Sequence, residues 1–223
     1  MMLPESKNGI TIRIMTVEDY KEVKPFMREH FYYDEPLGIG INVPLHLQNE
    51  AEEDQHHLDM IRQGLSLIAT EDSNPEHVVA IVLAEKLEPH DIEKNRIYAE
   101  EKEDNLLGRI LRLMAKVERE ANVFEHYGVT NFLNSYITAV AAPARGKGLG
   151  SRLASTLIEL GRSRGFPVMA AYCTSHYSAQ QKDALGMECI YTLAYADYKD
   201  DQGRGMFTPP APHTHIRVMA MKL

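Results

Sequence analysis

The stretch "RGKGLG", Arg145 to Gly150, places three glycines within six residues. Glycines at that density let the backbone turn tightly and bring several N–H groups to one anion. Spacing excludes two phosphate-binding patterns. A P-loop requires Gly-Lys followed by Ser or Thr, whereas Lys147 is followed by Gly148. A dinucleotide fingerprint would put its third glycine at Ser151, and no acidic ribose ligand stands about twenty residues later. Arg-x-x-Gly-x-Gly remains. The other chemistry-bearing residues are a loop carboxylate at Glu35, in "DEPL", and a hydroxyl-rich run, "CTSHYSA", from Cys173 to Ala179.

The flanks show what positions the glycine turn. "NSYITAV" is β-branched and aromatic, so it predicts a strand ending near Val140 or Ala141. Leu149, Leu153, Leu157 and Leu160 recur at helical spacing, predicting a helix from the turn to about Arg162. Strand, glycine turn and helix N-terminus together aim backbone donors and a positive dipole end at one point.

Composition sets the frame. With 223 residues, 44% hydrophobic and 25% charged, the chain is expected to be one globular domain spanning 1–223. No apolar run approaches the roughly 20 residues of a membrane helix, and the N-terminus lacks a signal-peptide core. Two cysteines, Cys173 and Cys189, make no disulfide framework, so a cytoplasmic setting is expected. The net charge of −8 argues against nucleic acid and weakly favours a cationic ligand.

Along the chain, "ITIRIM" predicts a first strand, and Thr16 with Asp19 a capping box. The helix that follows has Val17, Tyr20, Val23 and Met27 on one side and Pro25 as a kink. "DEPLGIGINVP" is a loop, and Asn49 to Gln63 a polar-faced helix. "LSLIAT" and "HVVAIVLAEKLE" are strands joined by the turn "EDSNPE". A long helix is predicted from about Glu103 to His126 on the stripe Leu106, Ile110, Met114, Val117, Ala121 and Phe124. After the central strand, turn and helix come the strand "FPVMAAYCT", the short helix "SAQQKDAL", Gly186 as its stop, and the strand "ECIYTLAY". A loop from Lys199 to Pro212 leads to the strand "HIRVMAMKL".

This order, with Arg-x-x-Gly-x-Gly after the fourth predicted strand, resembles the GCN5-related N-acetyltransferase superfamily over nearly the whole chain. Four segments narrow it: "DEPL", "VFEHYGV", "CTSHYSA" and "YADYKDDQGRGMFTPPAPH" together resemble the insect arylalkylamine N-acetyltransferases, which acetylate dopamine, serotonin and tyramine. The resemblance implies an α/β fold with a mixed, mostly antiparallel sheet of about seven strands flanked by helices. It implies acetyl-CoA as cosubstrate, with Thr138, Ala139 and Val140 pairing with the pantetheine arm. Arg145, Gly146, Lys147, Gly148, Leu149 and Gly150 would cradle the pyrophosphate.

The same resemblance assigns roles. An ammonium has no lone pair for attack on a thioester, so a base is required, and the family uses the glutamate of Asp-Glu-Pro-Leu, here Glu35. Pro36 restricts the backbone at Glu35. The superfamily's usual acid, a tyrosine, is replaced by Lys182; the insect enzymes' serines map to Thr174 and Ser178, and Thr174 departs from the serine expected there. Ser178 is the preferred candidate acid, or else a helix-cap or cofactor contact. Ser175 falls at a cofactor-contacting position, and Lys182 is included with it. A backbone N–H near Val140, where the fourth and fifth strands diverge in the family, would stabilise the oxyanion. Tyr177, Tyr195 and Phe207 are candidate walls of an aromatic amine pocket.

Adjacent His56 and His57 point different ways on a helix, and His213 and His215 lack a third ligand, so no metal is expected. Cys173 reads as a core residue rather than a nucleophile, since direct transfer needs no acyl-cysteine. The expectation is a monomeric, cytoplasmic acetyl-CoA-dependent arylalkylamine N-acetyltransferase whose partners are the amine and acetyl-CoA. Two rivals stand beside it: the same fold acting on polyamines or histamine, and an acyl-CoA sensor with an idle site. An intact Glu35 counts against the sensor. Polyamine use requires several carboxylates in the pocket, which spacing alone does not place.

Overall fold

The computed structural model describes residues 4–39 and 50–223. Its sheet has eight strands: β1 (Glu5–Lys7), β2 (Ile10–Ile14), β3 (Leu67–Glu71), β4 (Asn74–Leu87), β5 (Phe132–Val140), β6 (Val168–Cys173), β7 (Glu188–Ala194) and β8 (His215–Lys222). They lie in the order β1-β2-β3-β4-β5-β6-β8-β7. Every neighbouring pair is antiparallel except β5 and β6. The strand beyond the expected seven is β1. It forms a hairpin with β2 through Asn8 (φ 56°) and Gly9 (φ 76°), an Asn-Gly turn whose two positive φ values match the twist of a two-residue hairpin.

The helices are α1 (Tyr20–Met27), α2 (Glu50–Arg62), α3 (Pro89–Glu101), α4 (Leu106–Ala121), α5 (Val123–Tyr127), α6 (Leu149–Ser163) and α7 (His176–Ala184). Pro25 lies inside α1, which widens just beyond it into a π-helical turn at Arg28–Tyr32. The predicted long helix from Glu103 to His126 is two helices. Asn122, at φ 35° and ψ 64°, closes α4 in the left-handed region and opens α5 by accepting a hydrogen bond from Glu125 N–H at 3.3 Å. α3 has no apolar stripe by which periodicity could predict it: only Ala99 is buried, while Ile97 and Tyr98 are exposed. Its signals are local instead, a proline at its start and the Glu88 N–H donating to Asp91 Oδ2 at 2.8 Å.

Two faces of the sheet are covered. Leu149, Leu153 and Leu157 of α6 pack on Ile12, Leu67, Val82, Leu133 and Met169. On the opposite face, Val23 and Met27 of α1 and Met60 of α2 pack on Ile68, Ile81 and Ile137, while Leu113 and Val117 of α4 cover Leu87, Phe132, Ala170 and Val218. Central strands buried on both sides are therefore apolar almost throughout, and a polar residue within them marks something other than packing.

The feature that positions the site is the seam between β5 and β6. Only Leu133 with Met169 and Asn134 with Ala170 are paired across it. From Ser135 onward β5 keeps its ladder with β4 as far as Val140, yet has left β6. The sheet thus opens into a wedge, and β5 leads from it into the glycine turn.

The joint at Asn122 yields a stability test. Asn122→Ala removes the cap and places a Cβ-bearing residue without local hydrogen bonds in the left-handed region, costing about 1–2 kcal/mol. Asn122→Gly should recover most of that loss. Urea midpoints that are equal for wild type and Asn122→Ala would show that the break in the helix is not held by this residue.

Candidate active site

Glu35 sits in a turn just beyond the π-helical segment, where Gly38 N–H donates to its carbonyl at 2.9 Å. The residue is only 9% exposed. Thr174, the residue after β6, donates its hydroxyl to Glu35 Oε2 at 3.2 Å, and Leu37 N–H approaches Oε1 at 3.5 Å. Burial raises the carboxyl pKa to about 7, and those two donors only partly oppose it. A carboxylate with this pKa takes and releases protons near neutral pH. Tyr195, 2% exposed, donates its hydroxyl to the Thr174 carbonyl at 2.7 Å, so threonine is held from both ends. Burial, and then the charge of Glu35, raise the Tyr195 pKa and keep it a neutral phenol.

Across the wedge lies the glycine turn. Gly146 (φ 73°) and Gly148 (φ 77°) are in the left-handed region, and a Cβ built on either meets nothing within 4 Å. These glycines therefore answer to backbone conformation and to open space, not to crowding inside the chain. Leu149 anchors the helix start at 6% exposure, and Lys147 is exposed. Gly150 is different, since a Cβ there would come within 2.7 Å of Gln181 Nε2 and 3.4 Å of Val140 Cγ2. It lets α6, α7 and the end of β5 close on one another.

Arg145 is occupied in a way its spacing did not show. Its guanidinium donates to the carbonyls of Val140 and His30, each at 3.0 Å, and pairs with Asp34 Oδ2 at 2.6 Å. The arginine thus ties the glycine turn to the residue beside Glu35. Pairing of "DEPL" with "RGKGLG" was invisible in sequence because 110 residues of chain lie between Asp34 and Arg145.

The remaining expected residues divide between the two faces. On β5, Ala139 packs with Ile137 against α1, whereas Val140 packs toward α6, and Thr138 alternates with Ala139. Ser175 caps α7, accepting from Tyr177 N–H at 3.2 Å. Ser178 donates to the Ser175 carbonyl at 2.9 Å and lies beside the Cys173 thiol. It does not reach Glu35; the hydroxyl that does is Thr174. Lys182, at 2% exposure, has no hydrogen-bond partner for Nζ among the described residues. Burial lowers its pKa, and the thiol of Cys173 partly opposes that shift. Of the three expected aromatics, Tyr195 and Phe207 are buried in one core cluster with Leu37, whereas Tyr177 is 62% exposed and packs edge-on against His176 and His213.

The histidines do other work. Tyr20 donates its hydroxyl to Asp54 at 2.7 Å and contacts His57 Nδ1 at 3.1 Å, joining α1 to α2. Burial takes the His57 pKa down to about 4, so it is neutral. Among the described residues no three His, Cys, Asp or Glu side chains gather to hold a metal ion, and no helix is long and apolar enough to cross a membrane.

A sheet that opens beside a glycine turn at a helix N-terminus matches a known architecture. The family model of the acetyltransferase (GNAT) family matches residues 48–182, more than half of the chain. The chain belongs to that family. Among solved structures, an agmatine N-acetyltransferase variant in its apo form is 29% identical, with a TM-score of 0.87, covering 97% of this chain and 100% of that one. Arylalkylamine N-acetyltransferase 2 from Aedes aegypti is 27% identical, with a TM-score of 0.87, covering 96% and 99%. A polyamine N-acetyltransferase from Drosophila melanogaster is 29% identical, with a TM-score of 0.85, covering 96% and 100%. GNAT enzymes take acetyl-CoA as cosubstrate, and this chain has the means to hold it: an open glycine turn at a helix start, an open edge on β5, and the unpartnered Lys182 amine.

Two glycines with the same backbone conformation separate cofactor binding from strain. Gly148→Val should weaken acetyl-CoA binding at least tenfold by calorimetry, because the new side chain enters the space above the turn. Gly165, at φ 75° and equally open, lies past the far end of α6. Gly165→Val should impose the same strain, roughly 1–2 kcal/mol, without loss of binding. Equal affinity in the two variants would remove the cradle from this turn.

Proposed function

We propose that the chain, acting as one domain over residues 1–223, catalyses acetyl-CoA-dependent N-acetylation of small primary amines in the cytoplasm, with arylalkylamines among its acceptors. The observation carrying this reading is Glu35, buried at the mouth of the wedge, held by Thr174, with its pKa raised to about 7. In the proposed reaction Glu35 accepts a proton from the bound ammonium, directly or through water. The freed amine nitrogen forms its bond to the thioester carbonyl carbon. Unpaired backbone N–H groups on the open edge of β5 face the oxygen as it becomes negative. Collapse breaks the carbon–sulfur bond and releases coenzyme A, while the nitrogen gives up a second proton to become the amide, offsetting the one that the departing thiolate takes up.

Protonation of the departing thiolate is the less demanding half, because an ordinary thiol has a pKa of about 8.5. Ser178 and Lys182 stand on the α7 side of the wedge, where a proton donor would be wanted. Arylalkylamine acceptors are supported by the ring of Tyr195 beside the base and by Phe207, which shares its core cluster with Leu37. The similar enzymes divide between arylalkylamine and agmatine or polyamine substrates, so likeness alone does not rank the acceptors. The free thiols of Cys173 and Cys189 accord with a reducing compartment.

Coenzyme A release over dopamine, tyramine, serotonin, histamine and spermidine tests the reaction class. Glu35→Gln should lower kcat/KM by roughly 10²-fold at pH 7, the usual scale for a positioned base. The wild-type profile should fall away as pH drops below about 7, where Glu35 takes up its proton and can no longer act as base. The variant should lack that inflection. Wild-type turnover by Glu35→Gln at pH 7 would reduce Glu35 to a loop residue.

A further inference from the structure

On the face of the sheet that carries Glu35, polar groups gather where packing alone would place none. Glu85 on β4 and Asn134 on β5 are cross-strand partners, and Asn134 Nδ2 donates to Glu85 Oε1 at 3.1 Å. Glu118 of α4 is 8% exposed and accepts from Asn95 Nδ2 of α3 at 3.1 Å. Both carboxyls are pushed up to about 7, first by burial, and the charge of Glu85 raises Glu118 further. Asp91 raises both, and the cation acting on Glu85 is Lys94, which is exposed.

Two further observations make this more than an acidic cluster. Asn134 is 2% exposed, and its Oδ1, an acceptor, has no partner among the described residues; the hydroxyl of Tyr172, also enclosed, has none either. The charges of Glu118 and Glu85 act on that Tyr172 hydroxyl. Secondly, Tyr136 is 40% exposed although β5 is the fifth strand of eight and α2 lies over it, with the His56 ring edge-on at 5.4 Å. Exposure of Tyr136 leaves the helical layer open above β5 as a cleft, and the charges of Glu85 and Glu118 act on its hydroxyl. The cleft adjoins the base, because Tyr172 and Thr174 alternate with Cys173 and so share a face, roughly 7 Å apart along the strand.

We propose that this cleft, built from Glu85, Glu118, Asn134, Tyr136 and Tyr172, binds a second cationic group on the acceptor, so that diamines and guanidinoalkylamines are acetylated more efficiently than monoamines. The proposal rests on the acetyl-transfer reading of Glu35 and ranks acceptors within it. Two carboxylates and an unmet amide oxygen all demand hydrogen-bond donors, which an ammonium or guanidinium supplies together with charge. A spacer of five or six single bonds, each about 1.5 Å and zigzagged, covers roughly the distance from the base to the cleft. Binding such a group ionises Glu85 and Glu118, so protons are released as it enters.

The test compares kcat/KM for agmatine and for tyramine in wild type, Glu118→Gln and Glu85→Gln, with folding checked by circular dichroism. Wild type should favour agmatine at least tenfold, and each variant should lower the agmatine-to-tyramine ratio about tenfold. A wild-type preference for tyramine, or a ratio unmoved in both variants, overturns the proposal and leaves acetyl transfer intact. Calorimetric titration of agmatine into the protein, in two buffers of different ionisation heat, judges the cleft without turnover. Binding with proton release that is lost in Glu118→Gln supports it, and absence of binding overturns it. Binding with no coenzyme A release from any amine would instead sink the acetyl-transfer reading.

Discussion

The parting of β5 from β6 after two residue pairs is the constraint on which the rest of the molecule depends. Strands that stayed paired would satisfy their backbone groups on each other and leave nothing for a ligand. Separation leaves one edge of β5 unmatched between Ser135 and Val140 while β4 still secures the other. The wedge also sets where chain segments can meet. Thr174 ends β6 on one side and the glycine turn follows β5 on the other, so a base delivered between them serves both. Arg145, bridging Val140, His30 and Asp34, ties the glycine turn to the segment that carries the base.

Much of this was legible in the sequence, because the informative signals were local. Strand, glycine turn and leucine-spaced helix around Arg145–Gly150 stand where the pattern puts them, since a positive φ at Gly148 and a core-facing Leu149 leave few alternatives. The Asn8-Gly9 hairpin is equally local, but a first strand of three residues is too short to show a period. The α4–α5 break escaped for another reason. Hydrophobic spacing runs unbroken through Met114, Val117, Ala121 and Phe124, and periodicity reports which residues face the core rather than whether the axis continues. Only the backbone of Asn122 reveals the change of direction.

What could not be read was the meeting of distant polar groups. Glu118 lies beside Val117 in a helix of ordinary composition, and nothing in its neighbours separates it from a solvated glutamate. Asn134 carried a faint signal, as a polar residue inside "FLNSYITAV", but its partner Glu85 lies 49 residues away. Thr174 likewise looked like the weaker of two hydroxyls. The end of β6 rather than sequence similarity brings it to Glu35, and its β-branched side chain holds the hydroxyl in few rotamers while Tyr195 secures its carbonyl.

These carboxyls give the fold a definite response to pH. In the folded chain Glu35, Glu85 and Glu118 each titrate near 7, against about 4.3 for an unperturbed glutamate. Between those values the folded state binds more protons than the unfolded state does. The stability this confers is complete below the ordinary glutamate pKa and is lost as pH rises through about 7. Glutamine in each place would spare the fold that dependence. These three carboxyls lie on the face where Glu35 opens on the wedge, the face proposed for the incoming amine. There a cation offsets the burial that raises these acids, so an occupied site ionises more readily than an empty one. Ligand binding, proton release and stability above neutrality are therefore linked through the same three side chains.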